Sequence, residues 1–426
     1  MDNTILSNKK IHQATVLAYR GEQKVAELSK GGMTCDSPFA IASVSKLYIH
    51  AMTFALIDKR LLAYTSRLVD LLPADKVGCL PNAKEVTVRH LIDQTSGFAN
   101  HELDKLPNGT VLFKEILHQD RAVSVVESLR LVAALPPKGK PGSRAYYADI
   151  NALLLGEICE TLTAKTLPAL LAEIICQPLG LKNTHYCTGN ENNITPIYNG
   201  SHAAFWLKYL SAQMAQGGIV ATNHELMQFL QAFMKGQLFS KSHLTNPNFR
   251  RIQFIPLKYG SGMMQLKIPR ILSPFVPAPE IIGHSGSSGS FAFYCPSKNI
   301  FITGTFVHDK KILHPTSSLT ASKSITSPPN TSNILIPLNN TETSRSNPAR
   351  NKLCAGLPCF FTLIGRRLSS ASPARQDSTK PIASTDINLS IFAGALICVS
   401  SRLNPLLFRL PNSVSICQRS PYASIP

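Results

Sequence analysis

The hydrophobic period of the chain changes twice, and the two changes constrain the layout of any fold it can adopt. Near the N-terminus, Gln13–Tyr19 (QATVLAY) and Val25–Leu28 (VAEL) are short apolar runs joined by Arg20-Gly21-Glu22-Gln23, a Gly-containing connection that predicts a β-hairpin. Ser43–Lys59 then contains no Pro or Gly and sets Leu47, Met52, Ala55 and Leu56 at helical spacing. That predicts a long, mostly buried helix with Ser43 in its first turn. Thr87–Asp93 reads as a short helix, with Thr87 as cap and Gly97 just past its end. Helical patterns continue over Ala122–Leu135 and, after the Pro136–Gly142 loop, over Asn151–Leu162 and Leu167–Ile175. Thr222-Asn223-His224-Glu225 opens another helix as a capping box, with Leu226, Phe229, Leu230 and Phe233 as its buried face. From Tyr259 the pattern turns to strand, and Pro296-Ser297-Lys298-Asn299 joins two β-prone runs into a hairpin. Strands at both ends with helices between predict an α+β fold, an α/β sandwich. Its antiparallel sheet comes from the N- and C-terminal strands with flanking helices, and a mostly helical lobe is inserted.

Length alone would suggest two or three domains for 426 residues. The periodic signal instead supports one unit over about residues 1–308, with an α/β lobe at about 1–60 and 256–308 and a helical lobe at about 61–255. After His314 the periodicity stops, and a basic stretch rich in Ser, Thr, Pro and Asn follows. Its composition predicts a disordered or poorly folding tail over 309–426. Of the formal net charge of +18, residues 315–426 contribute +8, from 11 Lys+Arg and 3 Asp+Glu. The remaining basic residues are dispersed with no aromatic-basic stripe, so no nucleic-acid partner is expected. The longest apolar run, Ile391–Val399, is about half of what a membrane-spanning helix needs, so no membrane span is expected. The first residues, MDNTILSNKKIHQATV, carry charge where a secretory leader would be apolar. This predicts a cytoplasmic location, or a periplasmic or extracellular one if the N-terminus is truncated. The 10 cysteines contain no C-x-x-C pair and read as free thiols.

Three segments carry candidate chemistry. Ser43-Val44-Ser45-Lys46 places a hydroxyl and an ammonium one helical turn apart on the same face. A serine becomes a nucleophile when a neighbouring base takes its proton, and a helix N-terminus offers N–H groups to the oxyanion that forms. The same pattern also occurs at Ser7-Asn8-Lys9-Lys10, where no helix begins, so a capping serine and a solvated lysine are an alternative reading. Tyr146-Tyr147-Ala148-Asp149-Ile150-Asn151 opens a helix, and a phenol beside a lysine can relay a proton. By itself it is also a helix-entry aromatic with a capping Asp. Gly283-His284-Ser285-Gly286-Ser287-Ser288-Gly289 lies between two predicted strands, where it could approach a ligand closely or simply form a Gly/Ser hairpin. His90 and His101 near Ser96-Gly97 read as structural. There is no G-x-S-x-G elbow, H-E-x-x-H helix, Walker A loop or dinucleotide G-x-G-x-x-G.

Taken in order, these segments resemble the serine β-lactamase-like superfamily of class C β-lactamases, penicillin-binding DD-peptidases and serine esterases. Thr87–Gly97, Pro178–Thr184 and Gly217–Thr222 are similar to further blocks of that family, and the resemblance spans about residues 10–308. It implies Ser43 as the acylated nucleophile, Lys46 as its base and Tyr147 as the second proton-transfer residue. Asp149, His284, Ser285 and Gly286 would bind substrate, and the N–H groups of Ser43 and Ser287 would form the oxyanion hole. The implied activity is hydrolysis of a small-molecule ester, amide or β-lactam through an acyl-enzyme, with no metal or organic cofactor. Asp149 stands where many members have Asn and His284 where many have Lys, which favours an esterase over a strong β-lactamase. No E-x-x-L-N segment is present, so deacylation would depend on Tyr147 and Lys46. Family domains usually close with a long C-terminal helix, whereas here the chain passes from Val307 into the tail. The expectation is an altered 3′ end with a destabilised or inactive product, and the second functional reading is a non-catalytic homologue kept for binding or assembly. The resemblance specifies no oligomeric state.

Overall fold

The computed structural model describes residues 11–199, 202–245, 247–254, 256–267 and 279–308. The tail expected over 309–426 lies outside the described residues. In chain order the strands are β1 (Ile11–Arg20), β2 (Gln23–Lys30), β3 (Phe39–Ala40), β4 (His185–Tyr186), β5 (Ile197–Asn199), β6 (His202–Ala204) and β7 (Ile219–Ala221). They continue as β8 (Arg250–Arg251), β9 (Lys258–Gly260), β10 (Met263–Leu266), β11 (Ile281–Ser285), β12 (Ser290–Cys295) and β13 (Ile300–His308). The longer helices are α1 (Ser45–Asp58), α2 (Val125–Ala133), α3 (Ile150–Thr163) and α4 (Asn223–Lys235).

The main sheet is antiparallel with eight strands in the order β2-β1-β13-β12-β11-β10-β9-β8. β1 pairs directly with β13, Leu17 opposite Thr303, so strands from the two ends of the described fold lie side by side as the sequence pattern predicts. The hairpin tips are tied together. Gly21 takes φ +59°, and its N–H donates to the Asn299 carbonyl at 2.8 Å. Asn299 itself turns the β12–β13 connection at φ +51°, a left-handed conformation that Asn tolerates better than most residues.

α4 packs on this sheet through a polar anchor at its first residue. Asn223 is fully buried, donates from Nδ2 to Thr15 Oγ1 at 3.0 Å, and accepts from Thr303 Oγ1 at 2.6 Å. Both hydroxyls belong to adjacent central strands, which fixes where the helix sits. On its other side Phe229 stacks on Tyr48 of α1, ring centroids 3.5 Å apart. α3 is buried from Ile150 through Gly156, which suits a helix enclosed by others. Gly156 allows one such approach, because a Cβ there would lie 2.8 Å from Ala215 Cβ. Each fully buried leucine of this helix stabilises the fold by about 2 kcal/mol.

Two local expectations are refined. The helix predicted from Ser43 is divided into a single 3₁₀ turn, Ala42–Val44, followed by α1 from Ser45. Ala42 opens that turn at φ +45°, outside the range of a right-handed α-helix, so α1 begins only after it. At α4, Thr222 accepts from the Glu225 N–H as a capping box requires, but the Glu225 carboxylate turns elsewhere. It accepts from the backbone N–H of Lys182 at 2.8 Å and of Asn183 at 2.9 Å, and from Thr184 Oγ1 at 2.6 Å. A residue recognised as a cap therefore anchors a distant loop. No helix among the described residues is long and apolar enough to cross a membrane.

Glu225→Ala removes a charged acceptor and leaves several donors without partners. We expect a loss of about 3 kcal/mol in urea unfolding, with Glu225→Gln losing less because it keeps one acceptor oxygen.

Candidate active site

Ser43 sits on a turn held from three directions. The Ile41 N–H donates to the Ile219 carbonyl of β7 at 3.0 Å, and the Ile219 N–H donates to Ser45 Oγ at 3.2 Å. From the loop after β11 and the start of β12, Ser288 Oγ donates to the Ala40 carbonyl at 2.7 Å and Ser290 Oγ to the Ile41 carbonyl at 2.6 Å. These bonds hold Ala42 in its left-handed conformation, a local strain typical of functional turns. Gly286 lets the loop approach, since a Cβ there would lie 2.6 Å from the Ile41 carbonyl oxygen and 3.0 Å from Ala42 Cβ. Ser43 is left partly exposed on a cleft lined also by Glu102, Phe113, Asp149, Trp206, Tyr209, Ser287 and Ser288.

Lys46 is fully buried one turn further along. An ammonium has three donors, and all are engaged here. They reach Ser43 Oγ at 3.2 Å, the Gln216 carbonyl at 2.5 Å and Asp149 Oδ1 at 2.7 Å. Asp149 Oδ2 accepts in turn from Asn100 Nδ2 at 3.0 Å. Burial alone would push the Asp149 carboxyl up, but the Lys46 charge and the bonds from Lys46 and Asn100 outweigh it and hold the group below its ordinary value. Tyr147 is buried with its hydroxyl lacking a hydrogen-bond partner and its ring 5.3 Å from Lys46 Nζ. Burial and the Asp149 charge push its phenol well above the usual range. Tyr147 therefore holds its proton and can give it up only to a strongly basic atom.

Glu102 has no counterpart in the sequence reading. It is buried beside the cleft, accepting from Tyr209 OH at 2.7 Å and from Gln216 Nε2 at 2.7 Å. Burial, then the nearby Asp149 charge, raise it to about 7. Gln216 bridges the two halves of the site, because its carbonyl serves Lys46 and its amide serves Glu102. Neither residue falls in a motif, and burial of the successive polar residues Asn100, His101 and Glu102 leaves no periodic trace. His101 has no partner at either ring nitrogen, and burial lowers it to about 4, so it is neutral. His90 completes the cap at Thr87, its Nδ1 accepting from the Thr87 N–H at 3.2 Å.

The strand segment lies next to Tyr147. His284 is fully buried between the rings of Tyr147 and Tyr259, at centroid distances of 6.0 and 5.7 Å. Burial, then the Lys46 charge, push it well below its ordinary value, so it is a neutral imidazole. Ser285 Oγ lies against Met264 Sδ at 3.8 Å. His284, Ser285 and Gly286 do not themselves line the cleft surface, whereas Ser287 and Ser288, which follow them, line it beside Ser43.

Comparison with known proteins identifies the family to which this fold belongs. The Beta-lactamase family model matches residues 2–310, and the chain belongs to that family. It is 24% identical over 289 residues to the D-alanyl-D-alanine-carboxypeptidase/endopeptidase AmpH of Escherichia coli, covering 64% of this chain and 70% of that protein. It is 26% identical over 190 residues to the esterase EstB of Burkholderia gladioli, covering 43% of this chain and 48% of that one. Among solved structures, a D-stereospecific amidohydrolase from Streptomyces sp. shares the fold with a TM-score of 0.60 at 20% identity, over 72% of this chain and 92% of that one. A D-amino acid amidase from Ochrobactrum anthropi SV3 gives 0.58 at 18% identity, over 70% and 86%.

Two stability predictions follow from the buried charges. Lys46→Met leaves Asp149 without its cation and should cost about 3 kcal/mol or more, whereas Lys46→Met/Asp149→Leu should recover most of the loss, as measured by denaturant unfolding. Glu102 binds its proton more tightly in the folded chain. Its contribution is present below about 4.5 and is lost as pH rises through about 7. Glu102→Gln should therefore flatten the stability profile across that window, measured by melts at successive pH values.

Proposed function

We propose that the protein is a serine hydrolase that is acylated at Ser43 by an ester or amide with no carboxylate beside the scissile bond. The observation that carries this reading is the buried Lys46, 3.2 Å from Ser43 Oγ and 2.7 Å from Asp149. With its extra proton given up to solvent, the Lys46 amine faces Ser43 and takes the hydroxyl proton as the oxygen attacks. The N–H groups of Ser43 and Ser287, both residues bordering the cleft, would receive the oxyanion. Tyr147 gives its proton to the departing alkoxide or amine, a base strong enough to take it, and is reprotonated from Lys46. Water then enters, and the same groups act in reverse to release the acid.

The electrostatics support the preference for substrates without a carboxylate. Among the described residues the carboxylates lining the cleft are Glu102 and Asp149, and Lys46 behind Ser43 has its three donors engaged. His284 is neutral and buried. Among the described residues no Lys, Arg or His lines the cleft to pair with a substrate carboxylate, which disfavours β-lactams and carboxypeptide substrates. Phe113, Trp206 and Tyr209 offer an aromatic wall to an apolar acyl group. An esterase and a D-amino acid amidase among the similar proteins are consistent with this chemistry.

A fluorophosphonate should add once to the intact chain, at Ser43 by peptide mapping, and not to Ser43→Ala. p-Nitrophenyl acetate should turn over faster than nitrocefin, and Lys46→Ala should lower kcat by about 10² or more. No adduct, or one that persists in Ser43→Ala, would refute the assignment.

A further inference from the structure

We propose that Glu27, Cys35 and His224 form a binding site for a borderline-soft divalent cation such as Zn²⁺, away from the cleft. One potential ligand atom from each of the three residues lies within 4.8 Å of the other two. They come from three elements: Glu27 from β2, Cys35 from the link between β2 and β3, and His224 from the first turn of α4. None of them lines the cleft.

The donor set has the chemistry of a metal site. A thiolate, a carboxylate and a neutral imidazole carry two negative charges, matching a divalent cation, and this mixture of S, O and N is typical of Zn²⁺. Tetrahedral coordination by such ligands needs them about 3.3 to 3.6 Å apart. Small rotations of Glu27 and His224 supply that contraction, since their side chains are 40% and 43% exposed. The scaffold is already fixed. The Cys35 carbonyl accepts from the N–H groups of Asn223 at 2.9 Å and His224 at 3.2 Å, which ties the link to α4. Asp36 Oδ1 lies 2.7 Å from His224 Nδ1. A carboxylate on one ring nitrogen orients an imidazole and leaves the lone pair of Nε2 available, the arrangement commonly found behind metal-bound histidines.

Two existing contacts bear on occupancy. Thr15 Oγ1 lies 3.2 Å from Cys35 Sγ and can donate to a thiolate. Lys24 pairs with Glu27 at 2.7 Å, an exposed contact of the kind that contributes little and yields readily to a cation. Three protein ligands with exposed flanks leave a fourth position for water. Bound there, the cation would clamp the β1–β2 hairpin and α4 to the link that leads into β3 and the Ser43 turn.

The test is a titration of the full chain, kept reduced with a phosphine, with Co²⁺ and then Zn²⁺. We expect one equivalent of Co²⁺ to produce a thiolate-to-cobalt charge-transfer band that Zn²⁺ abolishes and that is missing in Cys35→Ser. Should Cys35→Ser fail to fold by circular dichroism, Glu27→Gln and His224→Ala should each weaken Co²⁺ binding by about tenfold or more. No band in the wild-type chain, a band that survives Cys35→Ser, or affinity unchanged in the two other variants would overturn the proposal. The readout is spectroscopic, so it is independent of whether Ser43 is a nucleophile.

Discussion

The site is organised around a lysine in the core. Burying an ammonium and a carboxylate away from water costs several kcal/mol per ion, and the cost is offset only when the two are well paired and further hydrogen bonds reach them. Lys46 meets this condition with Ser43, Gln216 and Asp149, and Asp149 with Lys46 and Asn100. Each partner arrives on a different part of the chain. Ser43 comes from the turn before α1, Asp149 from the residue before α3, and Gln216 from the segment before β7. The packing of α1 against α3 and of β7 against β3 can therefore be seen as the frame that brings these groups to one point.

The same frame sets the reactivity of Ser43. Its turn is strained at Ala42 and held by serines from the β11–β12 loop, so the Gly/Ser segment supports the nucleophile from behind. Hydrophobic packing supplies the energy that makes such strain tolerable, while the polar anchors decide its direction. Asn223 plays the corresponding part for α4 and Glu225 for the loop at 182–184, each a buried polar group satisfied by partners distant in sequence. A recurring pattern results, in which a helix-start residue reaches across to a neighbouring element.

Much of this was legible in the sequence because it is local. The period of the apolar residues predicts the hairpins at both ends, α1, α3 and α4, and the pairing of the terminal strands in one sheet. The order of S-x-x-K, Y-x-D and H-S-G points to the family and brings together Ser43, Lys46 and Tyr147. What the sequence does not disclose depends on contacts between distant segments. The sequence reading of Asp149 as a substrate-side residue does not include its 2.7 Å contact with Lys46. The burial of His284 against the rings of Tyr147 and Tyr259 is likewise not written in its own segment. Glu102 and Gln216 carry no motif at all, and their roles arise only where three chain segments meet.

The central claim is that the Lys46–Asp149 pair controls the nucleophilicity of Ser43. It is tested most directly by the pH dependence of the rate at which a fluorophosphonate modifies Ser43, followed by intact mass, in the wild type and in Asp149→Asn. Removing the carboxylate deprives a buried ammonium of its counter-ion, and such a group gives up its proton more readily. The account predicts that the rising limb of the rate profile moves to lower pH in the variant. Superimposable profiles in the two folded proteins would contradict it.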